Sequence, residues 1–160
     1  MAEDKSSPGS TLPSRRGPRP RTTPSNPHTQ LDQQPQDQGV RRELARRAFA
    51  LAGVEERPSV ISVPGARALW LADGRGPTDA FMMGREFAHL HPAPDESLHM
   101  MLPPELASEA VGKGWAEVHP VAAQGLIPGN AVMVYAPRDR EELEIVFGLV
   151  EASFRYALGD

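Results

Sequence analysis

The segment from residue 81 to residue 102 constrains the fold more than any other part of this sequence. Leucine and methionine alternate with histidine before and after a short segment, residues 92–97, that is rich in proline and contains aspartate and serine. Alternation with a period of two is typical of a strand that buries one face, and proline, aspartate and serine favour turns. The sequence therefore predicts a β-hairpin over residues 81–102.

Four of the five histidines in the chain lie in or near this hairpin: His89, His91, His99 and His119. His89 and His91 are expected on one face of the first strand, because successive side chains of a strand point to opposite faces. If Leu90 and Leu98 both lie on the core face, the strand pairing also brings His99 to the histidine face, whereas a slip of one residue reverses this. We expect at least three of the four histidines to share a site.

Outside the hairpin, hydrophobic periodicity predicts helices and further short strands. Helices are predicted over residues 40–53 and 105–111 and after Asp139, which forms a capping-box pattern with Glu142. Strands are predicted over residues 60–63, 66–71, 115–119 and 131–135, and a loop over residues 121–129. The expected fold is a single α+β domain with a mainly antiparallel sheet of about five strands and helices packed on it.

The first 37 residues differ in composition from the rest of the chain. They are rich in proline, serine and arginine, and the first aromatic residue of the whole sequence is Phe49. Such a segment buries too little apolar surface to offset the entropy lost on ordering. We therefore predict a disordered tail over residues 1–37 and a folded domain over residues 38–160.

Charge and composition exclude several classes of function. The net charge of -4 argues against a nucleic-acid partner, because phosphate binding needs a basic surface. The absence of cysteine excludes disulfides, thiolate metal sites and cysteine nucleophiles. The sequence has neither the run of roughly 20 apolar residues that a transmembrane helix needs nor the apolar region of a secretory signal. We expect a cytoplasmic protein without a membrane partner.

The histidines allow two chemical interpretations. In the first, His89, His91, His99 and His119 bind a divalent metal ion, since strand-borne histidines supply nitrogen ligands in several metalloenzymes. In the second, the same four residues are catalytic acids, bases and hydrogen-bonding groups around an organic substrate.

Four further residues are candidates for contact with a substrate: Glu86, Trp115, Tyr135 and Arg138. Strict alternation places Glu86 on the strand face opposite His89, unless a β-bulge intervenes. Trp115 and Tyr135 would either line a pocket for an aromatic ligand or pack in the core. Arg138 would hold an anionic substrate or brace the loop before the last helix.

A series of short motifs runs from Arg85 onward: Arg85-Glu86-Phe87-Ala88-His89-Leu90-His91, Leu98-His99, Gly114-Trp115, His119-Pro120, Tyr135-Ala136-Pro137-Arg138, Val150-Glu151-Ala152-Ser153 and Tyr156. In order and spacing these motifs resemble the luciferase-domain family, which includes the luciferases of luminous fungi. The segment over residues 60–71 resembles the family only loosely, and residues 1–37 do not resemble it.

The resemblance implies an oxygenase that adds O2 to an electron-rich, hydroxylated α-pyrone. The resulting endoperoxide loses CO2 and leaves an excited product. The resemblance also implies that no tightly bound metal or organic cofactor is needed, so that the partners are a small molecule and O2. His89 or His91 would remove the enol proton, because an enolate gives an electron to O2 more readily than an enol does. His99 and His119 would stabilise the developing oxyanions.

The sequence departs from the fungal enzymes at its N-terminus, where they carry a membrane-anchoring segment and this chain has a polar, proline-rich one. Pocket architecture therefore transfers more safely than substrate identity. The alternative to an oxygenase is a non-catalytic module that binds a small molecule or a metal ion.

Overall fold

The computed structural model describes residues 12–160 as one sheet with helices packed against it. The strands are β1 (Glu55–Pro58), β2 (Arg67–Trp70), β3 (Glu86–Leu90), β4 (Leu98–Met101), β5 (Ala116–Val118) and β6 (Ala131–Val134). The helices are α1 (Gln38–Phe49), α2 (Pro104–Gly112), α3 (Pro120–Ala123) and α4 (Arg140–Leu158), with a 3-10 turn at Thr78–Ala80. All strand pairs are antiparallel, in the order β1-β2-β3-β4-β6-β5. The α+β class is confirmed, and the sheet has six strands rather than about five.

The predicted hairpin is confirmed as β3 and β4. Leu90 pairs with Leu98 and His89 pairs with His99, so the leucines share one face and the histidines share the other. The strand predicted over residues 60–63 is wrong, because the chain forms bends there and the strand lies earlier, at β1. All four residues of β1 are exposed, so this edge strand lacks the apolar alternation by which a strand is recognised in a sequence.

One face of the sheet forms the main apolar core with α1, α2 and α4. Helix α4 contacts β3 and β4, α1 packs on α4, and α2 packs on β5. This core includes leucine, valine, phenylalanine and methionine side chains, among them Leu69, Phe87, Leu98, Met100, Val132, Val134, Leu143, Val146, Leu149 and Val150. Burial of these side chains is the main favourable contribution to folding.

Helix α4 begins at the predicted cap. The Asp139 carboxylate accepts a hydrogen bond from the Glu142 N–H at 2.8 Å. The Glu142 side chain does not complete a capping box, because its carboxylate accepts from the Arg138 N–H at 2.9 Å and from the Arg138 guanidinium. The helix ends at Gly159, whose φ of 101° lies in the left-handed region that favours glycine.

The opposite face of the sheet is covered partly by the N-terminal segment, residues 12–37. The Gln30 carboxamide oxygen accepts from the Ala136 N–H at 2.9 Å, and the Thr22 hydroxyl donates to Glu117 at 2.8 Å. His28 is only 3% exposed. Hydrogen bonds to polar groups of the domain connect this segment to the sheet. Residues 1–11 of the predicted tail lie outside the described residues.

None of the helices within residues 12–160 combines the length and the apolar character that a membrane crossing requires.

A five-histidine cluster as the candidate functional site

All five histidines of the chain meet on the sheet face opposite α1, α2 and α4. His99 lies at the centre, and its ring centroid is 4.5 Å from that of His119, 4.6 Å from that of His91 and 5.1 Å from those of His28 and His89. The prediction that His89, His91, His99 and His119 come together is confirmed. The sequence analysis did not predict that His28 joins the cluster, because His28 lies in a proline-rich segment without hydrophobic periodicity. Its identity as a histidine was the one available signal.

Strand register places the central residues of the cluster in one row across the sheet. Ala68 of β2 pairs with His89, His89 pairs with His99, His99 pairs with Met133 of β6, and Met133 pairs with Glu117 of β5. Directly opposed residues of neighbouring strands point to the same face. The row therefore brings two histidines and a carboxylate to one face of the sheet, and its other two members are Ala68 and Met133.

Glu86 joins the cluster through a β-bulge. The β2–β3 register shifts between Leu69 and Trp70, so that Leu69 pairs with Ala88 but Trp70 pairs with Glu86. The extra residue turns Glu86 toward the histidine face, where its carboxylate is within 2.7 Å of His89 Nδ1 and accepts from the Ser59 hydroxyl at 2.9 Å. Strict alternation, which placed Glu86 on the other face, is corrected here by the bulge.

A second carboxylate, Asp95, orients His91. Its Oδ2 lies 2.6 Å from His91 Nδ1, and its Oδ1 accepts from the Ser97 hydroxyl at 2.6 Å and from the Gln30 N–H at 3.0 Å. Burial by itself would raise the pKa of the Asp95 carboxyl, but the hydrogen bonds from His91, Ser97 and Gln30 outweigh it and lower the pKa. Asp95 is therefore a carboxylate at neutral pH and accepts the His91 Nδ1–H.

A third carboxylate, Glu117, contacts the cluster through His28. His99 Nε2 lies 3.0 Å from His28 Nδ1, and His28 Nε2 lies 2.6 Å from a Glu117 oxygen. The other Glu117 oxygen accepts from the Tyr135 hydroxyl at 2.8 Å, and the Arg19 guanidinium donates to that hydroxyl at 3.1 Å. The N-terminal segment thus links the central histidine to a carboxylate on β5.

Burial keeps several of the imidazoles neutral. It lowers the pKa of His89, lowers that of His99 well below its usual value, and lowers that of His119 to about 4. A buried imidazolium loses its hydration, and the positive charge on each neighbouring histidine would add to the cost. His119 also caps α3, where its Nδ1 accepts from the Val121 N–H at 3.0 Å. An Nδ1 that accepts carries no proton, so neutral His119 has its proton on Nε2.

A pocket of about 330 Å³ opens onto the cluster. Its walls combine imidazoles with apolar and small polar side chains from two loops: Asn26, Pro27, His28, Ile61, Ser62, Val63, His89, His91 and His99. This volume is at the lower end of the range of small-molecule sites, roughly 300–1,000 Å³. The imidazoles offer polar groups, and Ile61 and Val63 offer apolar surface. This combination suits a flat ligand with one ionisable edge.

Three of the residues predicted to contact substrate lie away from this pocket. Trp115 is 4% exposed, packs in the main core and donates from Nε1 to the Pro13 carbonyl at 2.7 Å. Tyr135 is buried and bonds Glu117 from behind the cluster. Arg138 pairs with Glu142 at the start of α4. The fourth, Glu86, lies behind His89 and orients it.

Two sets of three histidines have the proximity of metal ligands. One ring nitrogen from each of His28, His99 and His119 lies within 4.8 Å of the other two, and the same holds for His89, His91 and His99. His99 is shared between the two sets. The two sets differ in the hydrogen bonds that their outer nitrogens make.

The sequence of the hairpin and of the elements that follow it matches a known family. Residues 84–153 match the family model described as Luciferase domain. This part of the chain is therefore similar to the luciferase domain family, as the motifs predicted. It contains the four histidines from His89 to His119, the strands β3 to β6 and the greater part of α4, whereas His28 lies outside the matched residues.

The relatives are fungal luciferases. Over 79 residues, the chain is 42% identical to the luciferases of Armillaria mellea and Armillaria gallica and 40% identical to that of Neonothopanus nambi. The aligned part is 48% of this chain and 29% of each relative, so the chain spans less than a third of the length of these luciferases. No solved structure matches the chain.

Proposed function

We propose that this luciferase domain binds a small enolic or hydroxylated aromatic metabolite in the histidine pocket and promotes its reaction with O2. The observation that supports this most strongly is the pocket wall, in which His89 and His91 are each held by a buried carboxylate. Ile61 and Val63 line the same pocket and offer an apolar surface for a flat ring.

The proposed reaction depends on ionisation of the enol. An enolate carbon can give its electron pair to O2, forming a C–O bond and a peroxide, whereas the neutral enol reacts far less readily. The Nδ1–H groups of His89 and His91 donate to Glu86 and Asp95, so their Nε2 lone pairs remain available. Those lone pairs can accept the enol proton or hold a cation that binds the enolate oxygen. The Nε2–H of His119 adds a hydrogen-bond donor beside His99.

Oxygen uptake tests the proposal. The purified chain is incubated in an oxygen-electrode cell with a panel of hydroxylated α-pyrones and enolic aromatic compounds, with light emission recorded in parallel. We expect uptake with at least one compound and its loss in His91→Ala and His89→Ala. Leu126→Ala, at a loop residue that is 71% exposed and outside the pocket, is the control and should keep the wild-type rate.

Two results would contradict the proposal. One is the absence of uptake with every compound; if the same compounds still bind, the domain is a binding module. The other is uptake that persists at the wild-type rate in both histidine variants.

A further inference from the structure

We infer that His89, His91 and His99 form a site for one divalent first-row transition-metal ion. The ligand atoms would be Nε2 of His89, Nε2 of His91 and Nδ1 of His99. Three observations support the site: the proximity of the three rings, the direction of their outer hydrogen bonds, and the buried carboxylates behind them.

The three rings already lie at distances close to those of a metal site. One nitrogen from each lies within 4.8 Å of the other two. His89 Nε2 and His99 Nδ1 are 3.1 Å apart, which is near the roughly 3.3 Å between two nitrogens bound tetrahedrally to zinc at about 2.0–2.1 Å.

Hydrogen bonds to carboxylates select the tautomer of His89 and of His91. His89 and His91 donate their Nδ1–H to Glu86 and Asp95, which leaves both Nε2 atoms as lone pairs. Metal-binding histidines commonly donate their other ring N–H to a carboxylate, which orients the ring and makes it a better ligand. His89 and His91 contact a carboxylate directly. His99 contacts His28, which in turn contacts the Glu117 carboxylate.

The number of protons in the series of hydrogen-bonded side chains from Glu86 to Glu117 supports a cation between His89 and His99. Four close contacts run along it, Glu86–His89, His89–His99, His99–His28 and His28–Glu117. Each contact needs one proton, but three imidazole rings with one N–H each supply only three. If His28 donates to Glu117 and His99 donates to His28, the two nitrogens left facing each other are His89 Nε2 and His99 Nδ1, both lone pairs. A metal ion between them takes the place of the missing proton.

The surrounding charge also suits a cation. Glu86 is 1% exposed and Asp95 is 8% exposed, and in the described part of the chain their ion-pair partners are His89 and His91 alone, with no lysine or arginine. A buried carboxylate without a compensating charge is costly. A divalent ion bound to both histidines lies one imidazole away from each carboxylate and balances the two charges.

The second set of three histidines cannot offer three lone pairs. His119 Nδ1 accepts from the Val121 N–H, so the proton of its neutral ring is on Nε2. Coordination through Nε2 would require a proton on Nδ1, directed at that N–H. His28, His99 and His119 therefore make a poorer site than His89, His91 and His99, and His119 serves as a matched control.

Three neutral nitrogen ligands leave at least one coordination position open, and the same three residues line the pocket. An enol entering the pocket would bind through its oxygen as the O–H bond breaks and the proton leaves to solvent. This catalytic consequence rests on the proposed function, whereas metal binding does not. The inference differs from the cofactor-free chemistry that the family resemblance implies.

Direct binding of Zn²⁺ tests the site. The chelator-treated full chain is titrated with Zn²⁺ by calorimetry, and histidine ring nitrogens are observed by NMR. We expect one equivalent to bind, with coordination at Nε2 of His89 and His91 but at Nδ1 of His99, while His119 keeps its Nε2–H. The NMR measurement needs no variant, so it decides the question even if substituted chains fold poorly. Failure to bind Zn²⁺, or coordination through His28 and His119, would overturn the inference.

Variants add a quantitative test. His91→Ala should abolish stoichiometric binding, and Glu86→Gln should weaken it by roughly 10–100-fold, the usual effect of losing a carboxylate behind a ligand. His119→Ala should bind Zn²⁺ with wild-type affinity. Equal weakening in His91→Ala and His119→Ala would indicate general disruption of the cluster and would contradict the assignment.

The two proposals fail separately. Oxygen uptake by chelator-treated protein, with no effect of added Zn²⁺, Fe²⁺ or Co²⁺, would support the proposed function and remove the metal from it. Stoichiometric Zn²⁺ binding without oxygen uptake in any metal form would support the metal site and remove the oxygenase.

Discussion

At the centre of the sheet, the two faces are buried to a similar degree but by different chemistry. On β4, Met100 is 0% exposed toward the helices and its neighbour His99 is 3% exposed toward the N-terminal segment. The helix face is stabilised by apolar area, to which each side chain contributes almost independently. The histidine face is stabilised by hydrogen bonds among polar groups that have lost their water, so each missing partner leaves another group unpaired. Equal burial therefore does not mean equal tolerance of change.

The largest effect is expected on the helix face. Leu98→Ala removes a fully buried side chain from the main core and should lower the free energy of unfolding by about 2–5 kcal/mol. Urea denaturation measures it, with Leu31→Ala, at a residue that is 49% exposed, as the control. Zn²⁺ stoichiometry should stay unchanged below the unfolding transition. A loss smaller than that of the control would mean that this face is not the main source of stability.

A smaller effect is expected where the N-terminal segment covers the histidine face. Gln30→Ala leaves the buried Ala136 N–H without its acceptor and should cost about 1–3 kcal/mol. Gln36→Ala, at an exposed position of the same segment, should cost little. Urea denaturation of both variants compares them. If the two glutamine variants have the same stability, the segment does not contribute to the fold through this contact.

The next effect concerns the start of α4, on the helix face. Asp139→Ala removes the cap on the Glu142 N–H and should cost about 1 kcal/mol, with Asp139→Asn retaining most of the stability. Thermal unfolding of the two variants is the measurement. An identical loss in both would show that the charge of Asp139, rather than its hydrogen bond, is responsible.

The smallest effect is a pH dependence at the same helix end. Burial by itself would raise the pKa of the Glu142 carboxyl, but its hydrogen bonds with Arg138 outweigh this and lower the pKa below the usual 4.5. A carboxyl with a lowered pKa in the folded state stabilises the fold above pH 4.5 and loses that contribution as the pH falls through the folded value.

Glu142→Gln should therefore be less stable than wild type at neutral pH and approach it below pH 4.5. Urea denaturation at several pH values checks this expectation. A stability difference that does not change with pH would exclude the Arg138 pairing as its cause.

Local patterns predicted the elements whose residues lie near each other in the sequence. The hairpin, the shared face of His89 and His91, and the start of α4 at Asp139 follow from periodicity and capping, which act over a few residues. The pairing of His99 was predicted only conditionally, because register depends on which face is buried. The exposed edge strand β1 carried no such pattern and was missed.

The sequence alone predicted the hairpin, its alternating faces and the convergence of four of the five histidines. It could not reveal His28 beside His99, a contact between residues 71 positions apart, or the bulge that turns Glu86 toward His89. The contact depends on partners distant in sequence, and the bulge depends on one unpaired residue in a strand ladder. Neither produces a periodic pattern in the sequence. These tertiary contacts determine the chemistry of the cluster, because the outer hydrogen-bond partner of each imidazole determines which ring nitrogen keeps its lone pair.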